Sequence, residues 1–216
     1  MYKRQFEGLR VYSSNIYKLE QHTDRLFHSA NRMGIEVPYT KNELNDAQEQ
    51  IINKMNITYG YIRPVIWRGS EMMAISAQKN KINVAIATWE WPSYFSPEDR
   101  LKGITLQTAD WRRPPANTIP TDAKAAGLYM ICTLSKHKAE KDGFTDALML
   151  DYEGKVAEST GSNIFFVFNG ELHTPTPHCF LDGITRQTAI SIAEKLGIKV
   201  VQRDIYPEEI KDAQEI

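Results

Sequence analysis

Two kinds of apolar spacing take turns along this chain, and that alternation restricts it to a mixed α/β fold. Phe6–Tyr12, Tyr61–Trp67, Ile82–Thr88, 104–108, Asp146–Asp151 and 163–168 have the period or the short unbroken runs of strands. Between them, residues from about 20 to 33 and from about 185 to 196 have helical spacing, and each stretch stops at a glycine, Gly34 or Gly197. A second helix is expected from Thr40 or Asn42 to Met55, and another over Leu128, Ile131 and Leu134. Asn169–Gly170 marks a hairpin. Pro64, inside the run at 61–67, argues for an edge strand or a bend. The aromatic, proline-broken stretch from Trp89 reads as a link, which divides the chain into a small N-terminal α/β domain at 1–88, a linker at 89–100 and a larger α/β domain at 101–216. The chain opens inside a strand pattern and stops at Ile216 between elements, so the second domain is expected to be incomplete.

Charge and composition exclude several classes. A formal net charge of -1 offers nothing to nucleic acid or an anionic membrane. No apolar run is long enough to span a bilayer, and the start has no signal-peptide pattern. Cys132 and Cys179 make no disulfide framework, which fits a reducing compartment and makes the cytoplasm the expected location. His22, His28, His137, His173 and His178 are scattered, so no metal site is expected.

Four places carry chemistry. In NTIPTDAKAAGLY, Lys124 stands among Ala123, Ala125, Ala126 and Gly127, just ahead of a helix with Tyr129 in its first turn. It is either a solvated turn lysine or an amine kept uncrowded to form an imine. Glu158, in a turn of small residues, is either a wet turn acid or a charge placed against a heteroaromatic nitrogen. Leu181-Asp182-Gly183-Ile184-Thr185-Arg186 opens a helix, with Asp182 or Thr185 as an ordinary cap or the free amides as a phosphate cup. Arg25 is a helix arginine that is either solvated or directed at a phosphate. Taken jointly, these are the parts that pyridoxal 5'-phosphate requires: an amine, an acid for the ring nitrogen, a phenol for the 3-oxygen and a phosphate cup. No P-loop or dinucleotide glycine pattern competes.

The strings FEGLRVY, HTDRLFHSA, YIRPVIW, NTIPTDAKAAGLY, DYEGKVAESTGSNIFF and LDGITR stand in the order and spacing of a known family. The chain resembles the fold-type IV, class-IV pyridoxal-phosphate aminotransferases, and among them the branched-chain amino acid aminotransferases. The resemblance covers nearly the whole chain and implies that family's two-domain fold, trimmed at both ends. It implies that Lys124 forms the imine and shuttles the substrate proton, Glu158 faces the pyridine nitrogen and Tyr129 bonds the 3-oxygen. Arg25 with the Ile184 and Thr185 amides would hold the phosphate, and Leu181 and Gly161 would flank the ring. Tyr61 and Arg63 would recognise carboxylate, with Arg63 taking glutamate's distal group, while Phe6, Trp91 and Tyr94 would line the pocket for leucine, isoleucine or valine. It further implies 2-oxoglutarate as the acceptor and a homodimer or larger assembly, with Ser70–Ala74 near the contact. The alternatives are a D-amino acid transaminase, an aminodeoxychorismate-lyase-like enzyme, or a non-catalytic remnant.

Overall fold

The structure, a computed structural model, describes residues 4–91 and 97–216. The chain forms two compact units, one from residues up to 96 with Ala123–Gly127 and one from Pro97–Asp122 with Leu128–Ile216.

The first unit holds β1 (Arg4–Phe6), β2 (Leu9–Tyr12), β3 (Asn15–Ile16), α1 (Leu19–Arg32), α2 (Lys41–Lys54), β4 (Gly60–Arg68) and β5 (Ile82–Glu90). They make a five-stranded antiparallel sheet with β4 at its centre. The single strand expected over 6–12 is two, yet both pair with β4 in one continuous frame, Phe6 opposite Val65 and Leu9 opposite Ile62. The break has a cause. Glu7 N–H donates to the Pro64 carbonyl at 3.0 Å, but Pro64 has no N–H to return the bond. Pro64 therefore lies in a central strand, paired with Ile86 on its other side, and the edge expected from it is not observed. Its missing donor interrupts the neighbour instead.

Side chains alternate across the sheet. Gln5, Glu7, Leu9 and Val11 are buried, and Leu9 and Val11 pack with Ile52, Ile57 and Ile62. Leu26 and Ala30 of α1 and Leu44 of α2 close a second cluster on Ile66. Each such fully buried aliphatic side chain contributes about 1.5–3 kcal/mol. Helix α2 starts at a capping box, in which Glu43 N–H donates to Thr40 Oγ at 3.2 Å and Thr40 N–H to Glu43 Oε2 at 2.7 Å. The connection from β4 to β5 leaves Met73 91% and Ile75 96% exposed.

The second unit holds α3 (Pro97–Lys102), β6 (Leu106–Arg113), α4 (Tyr129–Lys141), β7 (Asp146–Asp151), β8 (Val156–Ser159), β9 (Phe166–Phe168), β10 (Glu171–Pro175), α5 (Ile184–Lys195) and β11 (Val200–Arg203). β6, β7 and β8 form one three-stranded sheet, with β6 and β7 parallel. β9, β10 and β11 form another, its hairpin turning through Asn169–Gly170. Leu148, Leu150, Val156, Ile164, Phe166 and Ile205 make the main core. β6 begins later than expected and runs on to Arg113. Its Asp110-Trp111-Arg112 stretch is exposed, so no apolar pattern announces the strand. β9 is shorter than the expected 163–168, because Ser159 and Ser162 close a turn through two hydrogen bonds of 2.8 and 3.0 Å ahead of it.

Candidate active site

In the first unit, the segment bearing Lys124 is fixed by its backbone. Lys124 N–H donates to Ser29 Oγ of α1 at 2.9 Å, and the Lys124 carbonyl accepts from Phe6 N–H at 3.3 Å. Ala123 and Ala125 are buried on either side. The half-buried Lys124 places Nζ 5.1 Å from the Phe6 ring centre, within range of a cation–π contact. Arg63 stacks on the same ring at 4.7 Å and on Tyr61 at 5.1 Å, and its Nη2 donates to the Tyr61 hydroxyl at 2.8 Å. Tyr61 in turn lies 5.0 Å from both Trp89 and Trp91. One sheet face thus gathers Phe6, Tyr61, Trp89 and Trp91 around a single guanidinium. Gly8 is obligatory beneath it, since a Cβ there would collide with the Tyr61 hydroxyl. Tyr94 lies outside the described residues.

Between β1 and β2 lies Glu7, which no sequence pattern singles out. It is fully buried. Arg25 donates to it twice, Nε to Oε1 at 2.7 Å and Nη2 to Oε2 at 2.8 Å, and His22 Nδ1 lies 2.7 Å from Oε2. Burial raises the affinity of this carboxyl for a proton. The Arg25 and His22 hydrogen bonds and the charges of Arg25 and Lys124 outweigh burial and bring its pKa down to about 2. His22, Arg25 and Ser29 recur at helical spacing, so one stripe of α1 holds both Glu7 and the Lys124 backbone.

In the second unit, the buried Glu158 lies in β8. Arg113 Nε is 3.4 Å from its Oε1, and Asn163 Nδ2 donates to Oε2 at 3.2 Å. The same Asn163 nitrogen donates to the Leu181 carbonyl at 3.0 Å. Neither Arg113 nor Asn163 was expected from the residues, because a buried arginine on a charged strand and an asparagine after a turn both look like surface. Gly161 sits exposed in the turn from Ser159 to Ser162. Tyr129 is half-buried at the start of α4, directly after a short 3-10 turn over Ala126–Leu128.

Helix α5 begins at Gly183 with no side-chain cap. Asp182 does not cap it. Arg186 Nη1 takes Asp182 at 2.7 Å, while Nη2 donates to Gln202 Oε1 at 2.7 Å and to the Pro175 carbonyl at 3.1 Å. The first-turn amides of Ile184 and Thr185 therefore suit an anion, as the helix dipole also does. Burial raises the thiol pKa of Cys132 and pushes that of Cys179 up to about 12, so both are protonated and poor nucleophiles at neutral pH. Among the described residues, no acid, histidine and cysteine group could hold a metal, and no helix is long and apolar enough to cross a membrane.

Against known proteins, a family model for amino-transferase class IV matches residues 5–216. The probable branched-chain-amino-acid aminotransferase of Rickettsia bellii is 44% identical over 207 residues, covering 96% of this chain and 70% of that protein. The branched-chain-amino-acid aminotransferase of Pseudomonas aeruginosa is 38% identical over 97% of this chain and 70% of its own length. A crystal structure of the T.th. branched-chain amino acid aminotransferase with pyridoxamine 5'-phosphate matches with a TM-score of 0.94 at 35% identity, over 98% of this chain and 71% of that one. An aminotransferase from Brucella abortus bound to the co-factor PLP matches with a TM-score of 0.87 at 31% identity, over 98% of this chain and 75% of that one.

Proposed function

The chain belongs to the class IV amino-transferases, and from that membership we propose that it transfers the amino group of leucine, isoleucine or valine to 2-oxoglutarate, giving branched-chain 2-oxo acids and L-glutamate with pyridoxal 5'-phosphate as cofactor. The observation that carries the substrate reading is the aromatic face with one arginine in it. Phe6, Tyr61, Trp89 and Trp91 offer apolar surface worth about 0.8 kcal/mol per buried methylene. Arg63 offers a bidentate partner for a distal carboxylate. When a branched side chain occupies the face, Arg63 keeps the Tyr61 hydroxyl as its partner and is not left buried and bare.

The residues present fit the cofactor on two counts. The first turn of α5 has amides no side chain caps, and the Glu158 carboxylate is buried with both oxygens oriented, one by Arg113 and one by Asn163. When bound, pyridoxal phosphate supplies an aldehyde and an electron-withdrawing ring that acidifies the α-hydrogen of an attached amino acid. Lys124 provides the amine and, through Nζ, takes up and returns the α-proton. Glu158 holds positive charge at the ring nitrogen, and Tyr129 donates to the 3-oxygen. Arg25 and the Ile184 and Thr185 amides hold the phosphate, while Leu181 and Gly161 flank the ring. The segment 1–88 serves as the small domain and 101–216 as the cofactor domain, joined at 89–100. The protein works in the cytoplasm as a homodimer or larger assembly, with the segment Ser70–Ala74, which holds the exposed Met73, near the contact.

The test is to incubate the purified protein with pyridoxal phosphate, reduce with borohydride and locate the label by peptide mass spectrometry. Label on Lys124, lost in Lys124→Ala, is expected. Leucine-dependent glutamate formation that exceeds any turnover of D-alanine is expected beside it. Absence of label from Lys124 or preference for D-alanine overturns the reading.

A further inference from the structure

We propose that Asn163 is a positioning residue that locks the acid for the ring nitrogen and the turn for the phosphate into one frame. The inference rests on the cofactor reading above. It starts from one amide. Asn163 Nδ2 has two hydrogens and two acceptors, the Glu158 carboxylate at 3.2 Å and the Leu181 carbonyl at 3.0 Å. The reverse orientation of the amide would set its oxygen against both acceptors, so the network fixes which way it faces. On its far side, Oδ1 occupies the space that a Cβ at position 183 would need, so residue 183 must be glycine while Asn163 is there. Gly183 is the residue from which α5 starts.

Two separate pieces of chain thus meet on one side chain: β8 with Glu158, and the segment that runs from the Leu181 carbonyl into the first residue of the anion-binding turn. This matters because the pyridine nitrogen and the phosphate of the cofactor are held apart by its own covalent skeleton. A protein that grips both ends must keep the two grips at a matching separation, or each weakens the other. Arg113, on the other oxygen of Glu158, orients the acid but reaches neither Leu181 nor Gly183 in the bonds it makes. Asn163 is the one of the two whose hydrogen bonds also reach the turn.

The experiment is equilibrium binding of pyridoxal phosphate and of phosphate-free pyridoxal to four proteins: wild type, Asn163→Ala, Gly183→Ala and the double variant. Thermal unfolding of each serves as the control for folding. Loss of hydrogen bonds that include one to a charged group predicts about tenfold weaker binding of both ligands by Asn163→Ala. Gly183→Ala pushes the Asn163 amide off its place and so disturbs the turn and the acid together: pyridoxal phosphate weakens about tenfold, and pyridoxal weakens with it. In the double variant the obstacle to the new methyl is gone, so the Gly183→Ala penalty shrinks to about twofold; a packing role confined to the turn would leave pyridoxal, which has no phosphate, unchanged in every variant. If Asn163→Ala does not fold, Asn163→Ser carries the same four-way comparison. Independent, multiplying effects overturn the proposal while leaving the cofactor reading intact. Failure of the wild type to bind pyridoxal phosphate at all overturns both.

Discussion

Glu7 in the first unit and Glu158 in the second are both buried carboxylates beside an arginine, and they are held in different ways. Glu7 takes two short bonds from Arg25 and one contact with His22, and its pKa falls to about 2. Glu158 is held at arm's length, by Arg113 at 3.4 Å and Asn163 at 3.2 Å. The first arrangement commits a negative charge to the protein interior, where it anchors α1 to the sheet. The second also orients a buried negative charge, which under the proposed function faces the ring nitrogen of the cofactor. The contrast teaches that burial and an arginine neighbour do not by themselves mark a chemical role, and that the closeness of the grip separates anchor from instrument.

The contrast can be broken by experiment. The largest effect is expected from Glu7→Gln, which leaves Arg25 in a poorly solvated place without its counter-charge. Unfolding by urea should show a loss of about 3–5 kcal/mol. An equal loss from Glu158→Gln would erase the distinction. The next effect is on pH. The Glu7 carboxyl is depressed from 4.5 to about 2 in the folded protein. Its contribution is therefore complete above the unfolded value and disappears as pH falls through the folded one, an amount of roughly 3 kcal/mol. Urea midpoints taken from about pH 6 down to about pH 2 should fall more steeply in wild type than in Glu7→Gln.

Under the proposed function, Glu158→Gln should lower kcat for leucine about a hundredfold by removing charge opposite the ring nitrogen, and it should lower the urea midpoint less than Glu7→Gln, because Arg113 loses a contact of 3.4 Å where Arg25 loses two bonds of 2.7 and 2.8 Å. A kcat within threefold of wild type would remove Glu158 from the chemistry. The smallest effect is expected from Tyr61→Phe. Arg63 loses the 2.8 Å hydrogen bond that occupies it when no carboxylate is present. Steady-state kinetics should show kcat/KM for leucine falling about fivefold while that for glutamate changes less than twofold, the cost of one lost bond on one substrate only.

Much of the fold could be read in advance because local rules and tertiary packing agreed. The helix cap at Thr40, one of two candidates with Asn42, the stops at Gly34 and Gly197 and the Asn169–Gly170 turn each act within a few residues, and each stands where its residues imply. Features that depend on distant partners were illegible. Glu7 reads as an ordinary strand acid until α1 folds over it with Arg25 and His22 eighteen and fifteen residues away. Pro64 reads as an edge marker because the rule concerns its own missing donor, whereas here the neighbouring strand absorbs the gap. Trp89 reads as linker, although it sits one strand over from Tyr61 and packs against its ring. Arg113 and Asn163 have no periodicity to announce them, since their importance lies in which acid and which carbonyl they meet.

The shared frame of β1 and β2 across Pro64 has a consequence for how this gene can change length. Removing or adding one codon between Phe6 and Leu9 would exchange the two sides of everything before it, turning the Phe6 ring into the helix layer and the Glu7 charge out among the tryptophans. The stretch from Gln5 to Val11 should therefore admit substitutions but no indels.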